Sequence, residues 1–196
     1  MRQGRSGIRV IGGQFRGRRL QTLSGITLRP TSDRVREALF DILGQKVVGA
    51  AWLDAYAGTG AVGIEALSRG AAKVVFVEKD PEAVDLLRRN LRYVGEAPYE
   101  VIPADLVVAI GMLANRGLGF DIIFLDPPYA GGELDRALRL VSTTMVLKPG
   151  GLLVAEHGAR TTPPSPERLS AVRTVSYGSS SLTFYRFTES ILPRDV

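Results

Sequence analysis

From Ala51 onward the chain repeats one unit: a short apolar run, a turn, then a stretch with helical spacing. The runs Ala51 to Asp54, Lys73 to Glu78, Tyr99 to Pro103, Phe120 to Leu125 and Gly151 to Glu156 read as strands. Helical stretches near 60–69, 81–93, 105–115 and 133–145 lie between them. Such alternation predicts a mostly parallel sheet with right-handed crossovers. After the loop Thr161-Thr-Pro-Pro-Ser-Pro166, Arg168 to Val175 and Leu182 to Phe187 read as a closing hairpin around Tyr177-Gly178. The length, 196 residues with 45% hydrophobic, suits one sizeable core and not two large domains.

Residues 8–28 alternate apolar and polar positions around Gly12-Gly13 and Gly17, which predicts a small basic β-hairpin that must dock on something to be stable. Ser32 or Asp33 can cap a helix running to about Leu43, with Val35, Leu39, Ile42 and Leu43 on one face and Gly44 ending it. Residues 1–36 hold nine arginines against one acid, Asp33, a local balance of +8 where the whole chain carries +5. That segment is either a solvated tail or a surface for a polyanion, and the use of Arg without Lys favours phosphate.

Zero cysteines exclude disulfides and thiolate chemistry, and a single histidine, His157, argues against a zinc cluster or a Ser-His hydrolase. His157 reads as structural and Trp52 as core. No metal is expected. No apolar run approaches the roughly 20 residues of a membrane helix, and the N-terminus lacks the apolar stretch of a secretory signal, so a soluble cytoplasmic protein is expected.

Two loops carry the chemistry. Asp54-Ala-Tyr-Ala-Gly-Thr-Gly60 follows the first predicted strand, where open α/β sheets bind ligands, and its glycines let backbone approach a nucleoside. It is not a strict Gly-x-Gly-x-x-Gly pyrophosphate fingerprint. Glu78, closing the second strand, can accept two ribose hydroxyls, as in nicotinamide enzymes and methyltransferases, or is simply a solvated strand end. Asp105 can accept from an adenine amine or cap a helix. Tyr56, Lys79 and Leu106 complete the candidate cofactor set with Asp54, Gly58, Gly60, Glu78 and Asp105.

The second loop, Asp126-Pro-Pro-Tyr129, is delivered to the same edge by the fourth strand. An amine on a purine ring delocalises its lone pair and attacks poorly until acceptors hold its hydrogens. The Asp126 carboxylate and Pro127 carbonyl can be those acceptors, Pro127 and Pro128 stiffen the turn, and Tyr129 can stack on the base. No strong base is required, because the methylated cationic nitrogen sheds a proton readily. A Pro-stiffened turn capped by Asp126 is the bland alternative. Together the loops suggest a methyl donor held beside an exocyclic amine.

These residues resemble the Rossmann-like S-adenosylmethionine-dependent methyltransferases with an Asn/Asp-Pro-Pro-Tyr/Phe motif. More closely, Ile8 to Phe187 resembles the bacterial family that methylates the exocyclic N2 of a guanine in small-subunit (16S) ribosomal RNA. The marks are Arg9-Val-Ile-Gly-Gly-Gln-Phe-Arg-Gly17, Arg29-Pro-Thr-Ser-Asp-Arg-Val-Arg-Glu37, Asp54 to Gly60, Glu65-Ala-Leu-Ser-Arg-Gly70 and Asp126 to Tyr129. Tyr56 stands where many members carry Phe.

The resemblance implies an α/β class I methyltransferase fold, a seven-stranded mostly parallel sheet with an antiparallel last strand. It implies S-adenosylmethionine at Asp54, Gly58, Gly60, Glu78 and Asp105, guanine at Asp126 to Tyr129, and Arg29, Thr31 and Arg34 at the mouth of the site. An assembled or nearly assembled small ribosomal subunit is the implied substrate. The expected organisation is a basic hairpin extension over 1–28, a methyltransferase domain over 29–188 and a frayed tail over 189–196, with a monomer favoured. Arg9, Arg16, Arg18 and Arg19, with Arg29, Thr31 and Arg34, are the expected RNA contacts. The alternatives are a DNA adenine-N6 methyltransferase, a non-catalytic RNA-binding assembly factor and a nicotinamide dehydrogenase.

Overall fold

The computed structural model describes residues 8–22, 32–129 and 132–188. Strands β1 (Ala51–Asp54), β2 (Lys73–Val77), β3 (Tyr99–Ile102), β4 (Phe120–Leu125), β5 (Leu147–Gly158), β6 (Leu169–Tyr177) and β7 (Ser180–Phe187) form one sheet in the order β3-β2-β1-β4-β5-β7-β6. The first five pair in parallel, and β7 lies antiparallel between β5 and β6. The strand order reverses at β1 and β4, which opens a crevice beyond their carboxyl ends.

Alternation along each strand separates two apolar layers. Trp52, Phe76, Phe124 and Val154 face α1 (Asp33–Leu43), α2 (Ala61–Ser68) and α3 (Pro81–Leu91). Leu53, Val75, Ile123 and Leu125 face α4 (Leu106–Asn115) and α5 (Glu133–Thr143) on the other side. Trp52 is fully buried and stacks on Phe40 with ring centroids 5.5 Å apart.

Helix α1 starts as expected, with Ser32 Oγ accepting from the Val35 N–H, and ends at Gly44 with φ +52°. Its buried face is wider than expected: Phe40 and Arg36 join Val35, Leu39 and Leu43, while Ile42 is only partly buried. Strand β5 begins earlier than expected. It takes in Leu147-Lys-Pro-Gly150, ahead of the predicted start at Gly151, through a register shift opposite Phe120 and Ile122.

The N-terminal element departs from a regular hairpin. Its antiparallel pairing is short, one bridge between Arg9 and Arg19 with Val10 N–H donating to the Arg18 carbonyl, Gly17 N–H to the Val10 carbonyl and Leu20 N–H to the Ile8 carbonyl, and the turn from Gly12 to Gly17 also docks on α2. Gln14 N–H donates to the Ser68 carbonyl at 2.8 Å and Phe15 N–H to Ser68 Oγ at 2.9 Å. Ile11 and Gly12 N–H each donate to the Glu65 carboxylate at 2.7 Å. Gly13 has φ +75°, and a Cβ there would overlap the Ser68 carbonyl, so the approach requires glycine. Val10, Phe15 and Leu20 complete the first apolar layer.

Arg36, counted within the basic segment, is not part of a basic surface. It is fully buried, its Nη2 donating to the Arg9 carbonyl at 2.9 Å and to Asp33 Oδ1 at 2.6 Å. Arg29, Thr31 and the tail over 189–196 lie outside the described residues. Among the described residues, no helix is long and apolar enough to cross a membrane.

Candidate active site

The carboxyl ends of β1, β2 and β4 open into a cavity of about 420 Å³, within the range usual for small-molecule sites. Asp54, Tyr56, Gly58, Glu78, Lys79, Asp105, Leu106 and the whole Asp126–Tyr129 loop line it. Of the residues assigned to the cleft from sequence, only Gly60 is not on its wall. It lies buried beneath, with φ +78°, as the N-cap of α2, and a Cβ there would overlap Leu87. Its role is to turn the loop.

Carboxylates hold the glycine loop in shape. Asp54 Oδ2 accepts from the Gly63 N–H at 2.9 Å, and the close packing of Gly63 on the Phe76 ring leaves no room for a side chain. Burial pushes the Asp54 carboxyl up from 3.8 to about 7; the Gly63 N–H opposes this and nearby Glu78 adds to it. Glu78 Oε2 accepts from the Gly58 N–H and Oε1 from the Asp80 N–H, both at 2.9 Å. Each oxygen keeps lone-pair capacity for a further donor. Glu78 is thus neither free nor saturated.

Asp105 is a helix cap that also reaches the cavity. It caps α4 through Oδ1, accepting from the Val107 N–H at 3.0 Å, while lining the cavity with Oδ2 3.8 Å from Lys79 Nζ. Burial raises the Tyr56 hydroxyl, helped by Glu133 and Asp105, so Tyr56 stays a neutral wall.

Asp126 is half-buried, Pro127 buried and Tyr129 50% exposed. The Tyr129 hydroxyl lies 3.4 Å from Glu156 Oε1 and 3.3 Å from Ser180 Oγ. Through these contacts the cleft adjoins a second cavity of about 230 Å³, lined by Ser32, Arg34, Glu156 and the β6–β7 turn. The arginines therefore divide. Arg34 stands at this second cavity, whereas Arg9, Arg16, Arg18 and Arg19 are exposed on the docked N-terminal element, Arg18 over the Phe15 ring at 4.7 Å.

Sequence reasoning misses three residues. Glu133, at the start of α5, lines the cleft. Glu156 joins the two cavities. Asn90, fully buried, donates from Nδ2 to the Thr59 and Gln21 carbonyls and accepts from the Gln21 N–H, so it ties the glycine loop to the segment following the docked turn. A signal for Asn90 is present in the sequence: a lone amide on the face that Leu86, Leu87 and Leu91 share. His157 engages both ring nitrogens within the protein, with Thr183 Oγ1 at 2.8 Å and the Gly158 carbonyl at 3.0 Å, as befits a structural residue. Among the described residues, no cluster of acids and histidine is arranged to hold a metal ion.

Comparison with known proteins places this geometry in a family. The family described as Conserved hypothetical protein 95 matches residues 8–186. Ribosomal RNA small subunit methyltransferase D of Escherichia coli K12 is 40% identical over 149 residues, spanning 76% of this chain and 74% of the relative. A solved hypothetical protein of Thermus thermophilus superposes with a TM-score of 0.79 at 34% identity, covering 90% of this chain and 98% of that one. A SAM-dependent methyltransferase from Agrobacterium tumefaciens shares the fold alone, with a TM-score of 0.60 at 18% identity over 78% of this chain and 61% of its own. The sheet order and these likenesses are those of a Rossmann-like class I methyltransferase fold, and this chain belongs to the Conserved hypothetical protein 95 family, alongside relatives named ribosomal RNA small subunit methyltransferase D.

Proposed function

We propose that this protein transfers a methyl group from S-adenosylmethionine to the exocyclic N2 of a guanine in small-subunit (16S) ribosomal RNA, in the cytoplasm. The observation that carries the reading is one cavity lined by both a nucleoside cradle and the Asp126–Tyr129 loop. The residues present fit the cofactor. Glu78 has acceptor capacity for ribose hydroxyls, Asp105 can take an adenine amine, Leu106 and Tyr56 supply apolar walls, and Gly58 leaves open space where a side chain would stand. The cofactor supplies an electrophilic methyl group on a sulfonium.

The protein's own part is positioning. Asp126 and the Pro127 carbonyl accept the two amine hydrogens and turn the nitrogen lone pair toward the methyl. The prolines limit the loop's motion, and Tyr129 stacks on the base. Arg9, Arg16, Arg18, Arg19 and Arg34, with Arg29 and Thr31, hold phosphates while the base is unstacked into the cleft. In this reading residues 1–28 are an RNA-clamping extension of a methyltransferase domain over 29–188, and the substrate is a small subunit at or near full assembly.

The test is transfer of labelled methyl to small subunits from a strain lacking the protein. Wild type methylates one guanine, located by mass spectrometry. Asp126→Ala loses transfer by roughly 10³-fold or more while binding S-adenosylmethionine as before. Label on DNA adenine alone, or binding of NAD without S-adenosylmethionine, overturns the proposal.

A further inference from the structure

Glu156 is a buried acid with too few partners. It is 4% exposed; its Oε1 has only the long 3.4 Å contact from the Tyr129 hydroxyl, and its Oε2 has no hydrogen-bond partner among the described residues. Buried polar groups are almost always paired, because an unpaired one forfeits its hydration without compensation. The residue is nonetheless held in the sheet, Glu156 lying opposite Leu182 in the β5–β7 ladder, one position beyond the last β4–β5 pair, Leu125 with Ala155. Its backbone is fixed, so its position is built and not incidental.

The register places it beside the reacting loop. Leu125 pairs with Ala155 in parallel, and Asp126 and Glu156 are the residues that immediately follow this last paired position on the two neighbouring chain segments. One carboxylate lines the large cleft and the other lines the adjoining 230 Å³ cavity. Tyr129 spans the boundary between them, and both hydroxyl contacts, at 3.3 and 3.4 Å, are longer than a good O–H···O bond and are readily exchanged.

We infer that Glu156 reads the N1–H of the target guanine, taking the place next to the N2 amine that Asp126 holds, and so selects guanine over any base whose N1 is an acceptor. The inference rests on the proposed transfer to guanine N2 and adds the residue that specifies the base. Guanine presents N1–H and N2–H₂ side by side, two donor groups for two adjacent carboxylates. Adenine and 2-aminopurine each carry an amine next to an N1 lone pair, which faces Glu156 as acceptor against acceptor. The incoming N1–H replaces the Tyr129 hydroxyl on Glu156 and releases the ring to stack on the base. An acidic amine-gripping loop alone does not distinguish these bases; the neighbouring carboxylate does.

The experiment uses small subunits reconstituted with RNA bearing guanosine or 2-aminopurine at the modified nucleotide. 2-Aminopurine keeps the reacting amine and changes only N1 from donor to acceptor, apart from the loss of O6. The full-length wild type is expected to prefer guanosine by roughly 100-fold or more in kcat/KM, since a buried group left facing the wrong partner discriminates strongly. In Glu156→Gln, whose amide can donate to an N1 acceptor, the preference falls to about 10-fold or less. Subunits carrying inosine, which retains N1–H and lacks the amine, compete with the wild type and compete less well with the variant.

Wild type that methylates both bases equally overturns the inference without any variant. So does a folded Glu156→Gln enzyme that loses activity on both bases in proportion, which would make Glu156 a support for Tyr129 only. Failure of wild type to methylate guanosine subunits at all is a different result, and overturns the underlying methyl-transfer proposal instead.

Discussion

Glu65 and Glu156 are both withdrawn from water, at 0% and 4% exposure, but their surroundings differ completely. Glu65 accepts the Ile11 and Gly12 N–H groups and Arg69 Nε, all at 2.7 Å, with Arg36 Nη1 at 3.8 Å. Its lone pairs are spent on this chain. Glu156 has one long contact and, among the described residues, an oxygen with nothing opposite. A buried carboxylate whose bonding is complete fastens one segment to another; a buried carboxylate left short of donors has capacity for something that arrives later. The cleft acids fall between these extremes, since Asp54 and Glu78 brace the glycine loop and still face the cavity.

The comparison breaks most sharply under truncation of Glu65. Glu65→Ala removes one of the two carboxylates that face the buried Arg36 guanidinium and orphans two backbone N–H groups, so unfolding free energy drops by about 3–5 kcal/mol. Glu156→Gln removes no saturated bond and shifts it by no more than about 1 kcal/mol. Urea midpoints of the two variants at constant m report the difference. Equal losses would erase the distinction between a fastening and a waiting carboxylate.

That distinction also marks how much can be read from residues alone. β1 and β4 have the predicted bounds, and both loops reach one edge, because apolar runs and turn residues are local signals. The motif Glu65-Ala-Leu-Ser-Arg-Gly70 is visible as a family mark with no physical reason attached. The reason is long-range: Glu65 and Ser68 receive backbone N–H groups more than 50 residues away. For the same cause the N-terminal segment reads as a hairpin that must dock on something, but not on what: its hydrogen bonds are shared between its own two arms and α2. Arg36 looks like one more surface charge among its neighbours in the chain; it is Arg9, Asp33 and Glu65 together that allow it inside. Glu156 is invisible because the sequence shows a strand end and not an unfilled oxygen.

Asp54 sharpens the middle of the comparison through pH. In the folded protein it holds its proton to about pH 7, and in the unfolded chain it releases it near 3.8, so the folded state carries the extra proton between those values. Its contribution to stability is therefore complete below the lower value and is lost as pH rises through the higher one. Asp54→Asn keeps an acceptor for the Gly63 N–H and removes the titration. Unfolding free energy of wild type relative to the variant should fall from about pH 4 to about pH 7 and then level off. A flat difference across that window would mean that the Asp54 carboxyl titrates normally despite its burial.

The smallest effect is expected where side chains project from the docked element instead of holding it. Arg16, Arg18 and Arg19 are exposed, and Arg18 packs over Phe15. Replacing all three by Ala should cost stability about 0.5–1 kcal/mol, the value of that cation–π contact. If they meet RNA phosphates, affinity for small subunits should drop roughly tenfold at low salt, and the slope of log affinity against log salt should flatten by about 2. The slope is the decisive measurement, because a phosphate contact releases counterions and a misfolded dock does not. An affinity loss with an unchanged slope would assign these arginines to the scaffold, on the same side of the comparison as Glu65. A flattened slope with an unchanged urea midpoint would show that the saturated interior of the dock serves to present an open, charged exterior.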